Sequence, residues 1–406
     1  MGRFVVIGGG AAGLFASYAS AYSGNEVILV EKNEKLGKKI YITGKGRCNL
    51  SNYVDNETFI KNVVTNPKFL YASLNSLSPF NTVDFFNNCG LKTKVERGNR
   101  VFPISDKASD VTKCLEKQLI MLGVDIRLNT VVSHINVDDG KIFSLTTNNG
   151  VINCDSIIVC TGGLSYSTTG STGDGYTFAK SLGHTIIKPK PSLVGLELNG
   201  DEYVQLQGLS LKNVAITCES CGKVVYNDFG EMLFTHFGVS GPIVLSASCI
   251  LNKYDFNNSC IKIDLKPALT YEQLDQRLIR EFSYSPSKKI FTVIRSLLPQ
   301  SLINLVLKRA EISNDTICGN VSKEQRKKLV STLKNLDFNI KGLRPINEAI
   351  VTSGGVNVKE INPKTMESKL VKGLYFAGEV IDVDAFTGGF NLQIAFSTGY
   401  LAGLNA

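Results

Sequence analysis

Residues 3–31 read RFVVIGGGAAGLFASYASAYSGNEVILVE, and the rest of the chain is organised around them. The apolar run Arg3–Ile7 stops at glycines, which suits a buried parallel strand. Residues 11–22 are alanine-rich and predict a helix ended by Gly24. Residues 26–30 predict a second buried strand, closed by Glu31. Between strand and helix, Gly8-Gly-Gly10-Ala11-Ala12-Gly13 is the G-x-G-x-x-G pattern. Gly8 permits the tight turn, Gly10 lets backbone approach a pyrophosphate, and Gly13 lets helix and strand pack closely. The helix N-terminus adds N–H groups and partial positive charge. Alone the pattern says little. Here it follows a strand, opens a helix and precedes, by 18 residues, an acid at a strand end, which together specify a βαβ unit for a dinucleotide. Glu31, with Lys32 after it, is placed to accept both ribose hydroxyls and to repel a 2′-phosphate.

Working outward, Gly37-Lys38-Lys-Ile-Tyr-Ile-Thr-Gly44-Lys-Gly46-Arg47-Cys48-Asn49 follows directly. Two glycines among cations make a flexible, electropositive loop suited to phosphate oxygens. Thr161-Gly162-Gly163 closes an apolar strand over 156–160, and a second glycine cluster, 169–175 with Asp174, precedes a helix. Glycines just past parallel strand ends line the crevice where such sheets bind ligands. Near the other terminus, Gly373-Leu-Tyr-Phe-Ala-Gly378-Glu379-Val-Ile-Asp382 reads as a strand ending at a glycine, then acids able to bond ribityl hydroxyls. Gly388-Gly389-Phe-Asn391-Leu392-Gln393 opens the last helix. A helix N-terminus at a flavin's pyrimidine edge would stabilise negative charge there. The set implies one FAD held by both ends of the chain.

The middle has other textures. A helix is expected over 111–122, then strands at 125–128, 131–137, 142–147 and 156–160, with a hairpin turn at Asp138-Asp139-Gly140. From Pro191 short strands at 194–198, 214–218, 224–226 and 232–234 are expected. Turn signals at Asn199-Gly200, Cys221-Gly222 and Asn227-Asp228-Phe229-Gly230 separate them and suggest a small antiparallel barrel. Beyond Pro267, capping boxes at Thr270–Gln273 and Ser322–Gln325 announce helices, with breaks at Pro286 and Pro299. The expected organisation is α/β: a first part of a Rossmann-like FAD-binding domain (1–190), an antiparallel β insertion (191–266), a helical insertion (267–340) and the second part of the FAD-binding domain (341–406).

A chain of 406 residues is long enough for more than one core. Its net charge is +8, and residues 272–341 carry 13 Lys/Arg against 7 Asp/Glu. Such a block attracts nucleic acid or anionic surfaces, but with no regular interleaving of aromatic residues among the charges it reads first as a solvated helix face. Ten cysteines without a regular framework point to free thiols and a cytoplasmic location. Residues 4–23 lack charge, yet their glycines and the want of a cleavage site argue against a leader or a membrane span. Cys218 and Cys221 have metal-knuckle spacing without a second pair, so no metal is expected. Cys48 reads as packing rather than nucleophile. His134 and His184 show no evident partner, and His236, in a glycine-rich loop, reads as structural. Gly399-x-x-x-Gly403 reads as close helix packing.

With these motifs in place, the chain resembles the bacterial BaiN-like or aminoacetone-oxidase-like NAD(P)/FAD-dependent oxidoreductases. The shared text runs from Gly8–Gly13 through residues 43–49, 161–165, 169–176, 230–242, 351–356 and 365–369 to 373–393. The resemblance implies an FAD domain of the glutathione-reductase type interrupted by a β-barrel and a helical domain. It puts the pyrophosphate on Gly8–Gly13, the adenosine ribose on Glu31, and adenine against backbone at Val131 and Val132. The ribityl chain falls by Glu379 and Asp382, and the isoalloxazine against Asn391–Gln393. No second G-x-G-x-x-G is present for a resident pyridine nucleotide, so NADH or NADPH would dock transiently. No protein acid or base for catalysis is identified. The expected activity is hydride transfer through the flavin from NAD(P)H to a small organic acceptor such as a conjugated enone. The alternatives are oxygen-dependent oxidation of a small amine, or a flavin-dependent nucleic-acid-modifying activity prompted by the basic segment.

Overall fold

The computed structural model describes residues 2–406, which form two compact units. One comprises the chain up to Ser192 together with Pro345–Ala406; the other is Leu193–Arg344.

In the first unit, β1 (Arg3–Ile7), α1 (Ala11–Tyr22) and β2 (Glu26–Val30) form as the glycine spacing predicts. β1 is the middle strand of a five-stranded parallel sheet. Its order is Leu374–Phe376, Ser156–Val159, β1, β2, Asp125–Arg127. Strands this apolar are covered on both faces, and Val5, Val6, Leu29, Ile157 and Phe376 are fully buried. A three-stranded antiparallel sheet, Val132–Asp138, Lys141–Thr147 and Gly150–Asn153, connects the outer strand to Ser156–Val159. Its third strand carries too few apolar residues to be seen in the sequence.

The two ends of the chain meet where α1 crosses the last helix, Phe390–Asn405. A methyl group on Gly399 would stand 2.1 Å from the Ala12 carbonyl oxygen, and one on Gly403 2.2 Å from that of Ala16. The helices therefore touch backbone to backbone, as the spacing of these glycines suggested. Phe15 fills the adjoining space with Phe85, Phe86 and Phe396.

In the second unit a closed six-stranded barrel runs Leu196–Leu198, Gly238–Ser240, Lys223–Thr235, Ser210–Ser220, Ser259–Asp264, Leu336–Leu343. Two expectations are corrected. The residues Asn227–Gly230 make no turn: Lys223–Thr235 is one strand, paired with Ser210–Ser220 through two register shifts. Its central residues are exposed, so Asn227 and Asp228 are solvated while the neighbouring strand supplies the ladder bonds. The helical segment is also not separate from the barrel. It enters after Ser259–Asp264 and leaves into Leu336–Leu343, the closing strand, and its Leu278, Leu302 and Leu329 share one core with Leu196, Phe234 and Ile261 of the barrel. Both capping boxes form, at Thr270/Gln273 and Ser322/Gln325. Among the described residues no helix is long and apolar enough to cross a membrane.

The helix crossing yields a test. Gly399→Ala forces a methyl into a carbonyl and is expected to cost about 1–3 kcal/mol in urea unfolding. Flavin content should fall with it, because the displaced helix opens on the ligand crevice.

Candidate functional site

The crevice lies at the carboxyl ends of the parallel strands, where loops from both ends of the chain converge. α1 begins at Gly10 with no side-chain cap and no acid in its first turn. A Cβ on Gly10 would meet nothing within 4 Å, whereas one on Gly13 would lie 1.8 Å from the Gly8 carbonyl oxygen. Gly13 is thus filled by packing and Gly10 faces open space. Uncapped N–H groups at an open helix start fit a diphosphate.

Glu31 is buried at the end of β2 and already oriented. Its Oε2 accepts from the Gly9 N–H at 2.7 Å, and its Oε1 from the Asn33 N–H at 2.8 Å and Nδ2 at 2.6 Å. Lys32 Nζ donates to Asp174 Oδ2 at 2.7 Å and Thr172 Oγ1 at 2.5 Å, which ties the 169–175 loop to the end of β2. Lys38 turns away, donating to Glu34 and Asn33.

A knot of side chains sets Glu379. Lys39 Nζ donates to its Oε2 at 2.6 Å, Ser165 Oγ to its Oε1 at 2.5 Å, and the Thr352 N–H to Oε1 at 2.9 Å. Burial pushes this carboxyl up, but the Lys39 ammonium and the Ser165 and Thr352 donors outweigh it and hold the group below its ordinary value. Thr352 Oγ1 also accepts from the N–H groups of Leu164 and Ser165, so the Thr161–Gly163 turn is locked to the same centre. Lys39, Ser165 and Thr352 were not singled out from sequence. The lysine alternates with Lys38 in a basic loop, and its partner lies 340 residues away.

The loop of residues 43–49 is left-handed at Gly44, Lys45, Gly46 and Cys48. Arg47, expected on a phosphate, is claimed by carboxylates: Glu96 at 2.5 Å and Asp106 at 2.6 Å, with its guanidinium 4.1 Å over the Phe102 ring. Cys48 is fully buried and its thiol is pushed up to about 12, so it stays protonated and packs. Asn49 Oδ1 is buried without a hydrogen-bond partner, and Gly389 lies close enough that a Cβ there would be 2.9 Å from it. Thr161 Oγ1 and Tyr176 OH are likewise unpartnered. Orphaned polar atoms around one crevice fit a bound polar cofactor.

At the last helix the side chains serve the fold. Gly389 starts the helix with no side-chain cap and no acid in its first turn, leaving its N–H groups for a ligand. Asn391 clasps the preceding loop through Ala385 and Phe386. Gln393, expected against the isoalloxazine, is fully buried and its amide is spent within the fold: Nε2 donates to the Leu77 carbonyl, Thr82 Oγ1 and Ser397 Oγ, and Oε1 accepts from Ser51 Oγ. Leu392 is half-buried between them. Asp382 Oδ2 accepts from Asn66 Nδ2 at 3.0 Å. The adenine contact expected at Val131 meets occupied groups, since its N–H donates to Asn148 Oδ1 and its carbonyl accepts from the Asn148 N–H. Val132 belongs to the antiparallel ladder, opposite Thr147.

His184 is buried between the Ala179 carbonyl and Ser368 Oγ, which corrects the expectation that it lacks partners, and burial lowers its pKa. His134 is exposed, and His236 packs edge-on to Phe237.

A parallel sheet with an open glycine cradle at one helix, an oriented acid at the second strand and a second uncapped helix defines a flavin-dependent oxidoreductase of the Rossmann class. The chain belongs to the family described as HI0933-like protein Rossmann domain, whose model matches residues 2–405. It is 34% identical over 406 residues to a ribosomal RNA dihydrouridine synthase of Haemophilus influenzae, covering 99% of this chain and 97% of that one. It is 31% identical over 407 residues to a 3-dehydro-bile acid delta(4,6)-reductase of Clostridium scindens, covering 99% and 98%. A solved 3-ketosteroid-delta4-(5alpha)-dehydrogenase from Rhodococcus jostii shares the fold, with TM-score 0.55 and 14% identity over 100% of this chain and 96% of that one. The protein is an FAD enzyme.

Two substitutions test the side-chain assignments. Gln393→Leu takes the amide partner from the buried Ser51 and Thr82 hydroxyls and is expected to cost about 1–3 kcal/mol, with flavin absorbance retained in the folded fraction. Lys39→Met removes the counter-charge of Glu379. Because the Glu379 pKa is lowered on folding, the wild-type advantage is complete above the ordinary carboxyl range and drains as pH falls through the lowered pKa. Urea unfolding should show the variant about 1–3 kcal/mol less stable at neutral pH, the pair being partly solvated, with the gap narrowing towards pH 3; a pH-independent gap would show that charge pairing is not the cause.

Proposed function

We propose that this enzyme reduces a carbon–carbon double bond conjugated to a carbonyl, with NADH or NADPH as a transient hydride donor. One observation carries the reading: two relatives matched end to end have names that describe the same bond change on unlike substrates. A Δ4,6-unsaturated 3-keto steroid and the uracil of a nucleotide each carry a double bond in conjugation with a carbonyl. Conjugation makes the β-carbon electrophilic, and a reduced flavin supplies the hydride. The chain's own part is to bind and orient. The reading places the diphosphate over Gly8–Gly13, the ribose at Glu31, the ribityl chain beside Glu379 and Asp382, and the ring against backbone at Gly389–Leu392, in the manner of glutathione-reductase-type FAD domains. The sheet order and the antiparallel connection over Val132–Asn153 support that placement.

A second reading concerns the acceptor. The match to the ribosomal RNA enzyme and the net charge of +8 favour a uracil presented in RNA over a free small molecule.

The test is anaerobic. NADH or NADPH should bleach the flavin band, and a cyclic enone or uridine-containing ribosomal RNA should restore it, one mole of double bond reduced per mole of nucleotide. No bleaching by either nucleotide, with bleaching by a primary amine and recovery in oxygen, would replace the reductase with an oxidase.

A further inference from the structure

The sequence concentrates charge in residues 272–341, but the side chains there are largely engaged. Among the described residues, eight of its thirteen cations pair with carboxylates, including Arg309 with Glu202 and Asp337, Arg326 with Asp275 and Lys334 with Asp264. A shorter stretch of the FAD-binding unit behaves differently. The hairpin of Thr93–Glu96 and Arg100–Pro103, with its flanks, carries Lys92, Lys94, Arg97, Arg100 and Lys107 against Glu96 and Asp106. Arg47 and Lys94 consume both acids. Lys92, Arg97, Arg100 and Lys107 are exposed and form no ion pair among the described residues. Asp55, two residues past Tyr53, is spent capping the helix Asn56–Lys61.

Two exposed aromatic rings stand beside these cations. Tyr53, 43% exposed, meets Phe80 edge to face with centroids 4.6 Å apart. The Tyr53 N–H donates to the Asn99 carbonyl at the hairpin tip. Asn52 Nδ2 donates both to the Gly98 carbonyl at 3.0 Å and to the Gly388 carbonyl at 2.9 Å, so the tip is tied to the loop that opens the last helix. Unpaired cations, an aromatic surface and the mouth of the crevice therefore adjoin. This is the pairing of charge with stacking surface that single-stranded nucleic acid requires.

We propose that the 92–107 hairpin and Tyr53 form the face on which a single strand of RNA docks. Phosphates lie on Arg97 and Arg100, and a base stacks on Tyr53, which delivers the neighbouring nucleotide towards the flavin crevice. The proposal rests on the reading of an RNA uracil as acceptor.

The experiment uses the flavin-loaded full chain and deproteinised ribosomal RNA as the probe, with affinity followed across salt. Arg97→Glu with Arg100→Glu should weaken binding at least tenfold, and Arg97→Gln with Arg100→Gln should make the log–log salt slope shallower by about 1.4, at ~0.7 per lost single-strand phosphate contact. Tyr53→Ala should cost about tenfold. The control, Lys323→Glu with Lys327→Glu on the helical segment, should bind as wild type, and all variants should reduce a cyclic enone at the wild-type rate. Wild-type affinity in both hairpin variants, or loss confined to the helical control, overturns the assignment. Wild-type protein that ignores RNA but reduces the enone overturns this face and the RNA acceptor while leaving the double-bond reductase standing. Binding to phosphatidylserine vesicles without binding to RNA assigns the face to a membrane instead.

Discussion

The fold depends on one contact, the backbone-to-backbone crossing of the first and last helices. Each helix begins at a glycine with free N–H groups, and neither start carries an acid that would fill the site from within. Two such helix starts are useful to one elongated anionic ligand only if they are held at a fixed separation. Gly399 and Gly403 make that possible by letting the Ala12 and Ala16 carbonyls approach to distances no side chain would allow. The parallel sheet then follows as a consequence: the strand just ahead of the last helix pairs beside Ser156–Val159, which pairs with β1.

Around that crossing, polar groups divide into two kinds. Gln393, Asn391 and Asn52 are saturated by protein partners and fix loops in place. Asn49, Thr161 and Tyr176 each keep a buried atom without a partner. Burying a polar atom unpaired costs on the order of 1–3 kcal/mol, so the second kind marks where a ligand belongs, and the first kind marks what keeps the crevice in shape. The Lys39–Glu379 pair stands between the two. It is internally satisfied, yet it sits beside the Thr161–Gly163 turn that a Cβ on Gly163 would close, with Glu379 Oε1 only 2.9 Å from such an atom.

What could be read from the chain follows the range of the interactions. The βαβ unit was legible because its glycines, helix and acid fall within residues 3–31 and interact locally. The capping boxes at Thr270 and Ser322 were legible for the same reason. From the sequence Arg47 reads as a phosphate ligand, because its claimants, Glu96 and Asp106, lie 49 and 59 residues away. Gln393 reads as facing the ring because nothing in its neighbourhood announces Leu77 or Thr82. The strand that closes the barrel, Leu336–Leu343, lies beyond a helical segment, and the long strand Lys223–Thr235 runs through residues whose turn propensity is overridden by its partner.

Charge shows the same limit and carries a consequence for function. Net charge counts side chains, whereas a polyanion reads only those left unpaired. The helical segment has the larger count and spends most of it on Glu202, Asp275, Asp264 and their neighbours. The hairpin has the smaller count but keeps four of its five cations out of ion pairs within sixteen residues, where the helical segment keeps five of thirteen across seventy. A flavin that delivers hydride to a conjugated double bond is indifferent to whether the acceptor is a steroid ring or a uracil; discrimination falls to the surface that brings the acceptor in. The face proposed for RNA, where unpaired cations and exposed rings meet, is tied through Asn52 to Gly388, just ahead of the last helix. On that proposal, the surface that selects the acceptor and the loop that opens the last helix share one asparagine amide, rather than any residue of the glycine cradle.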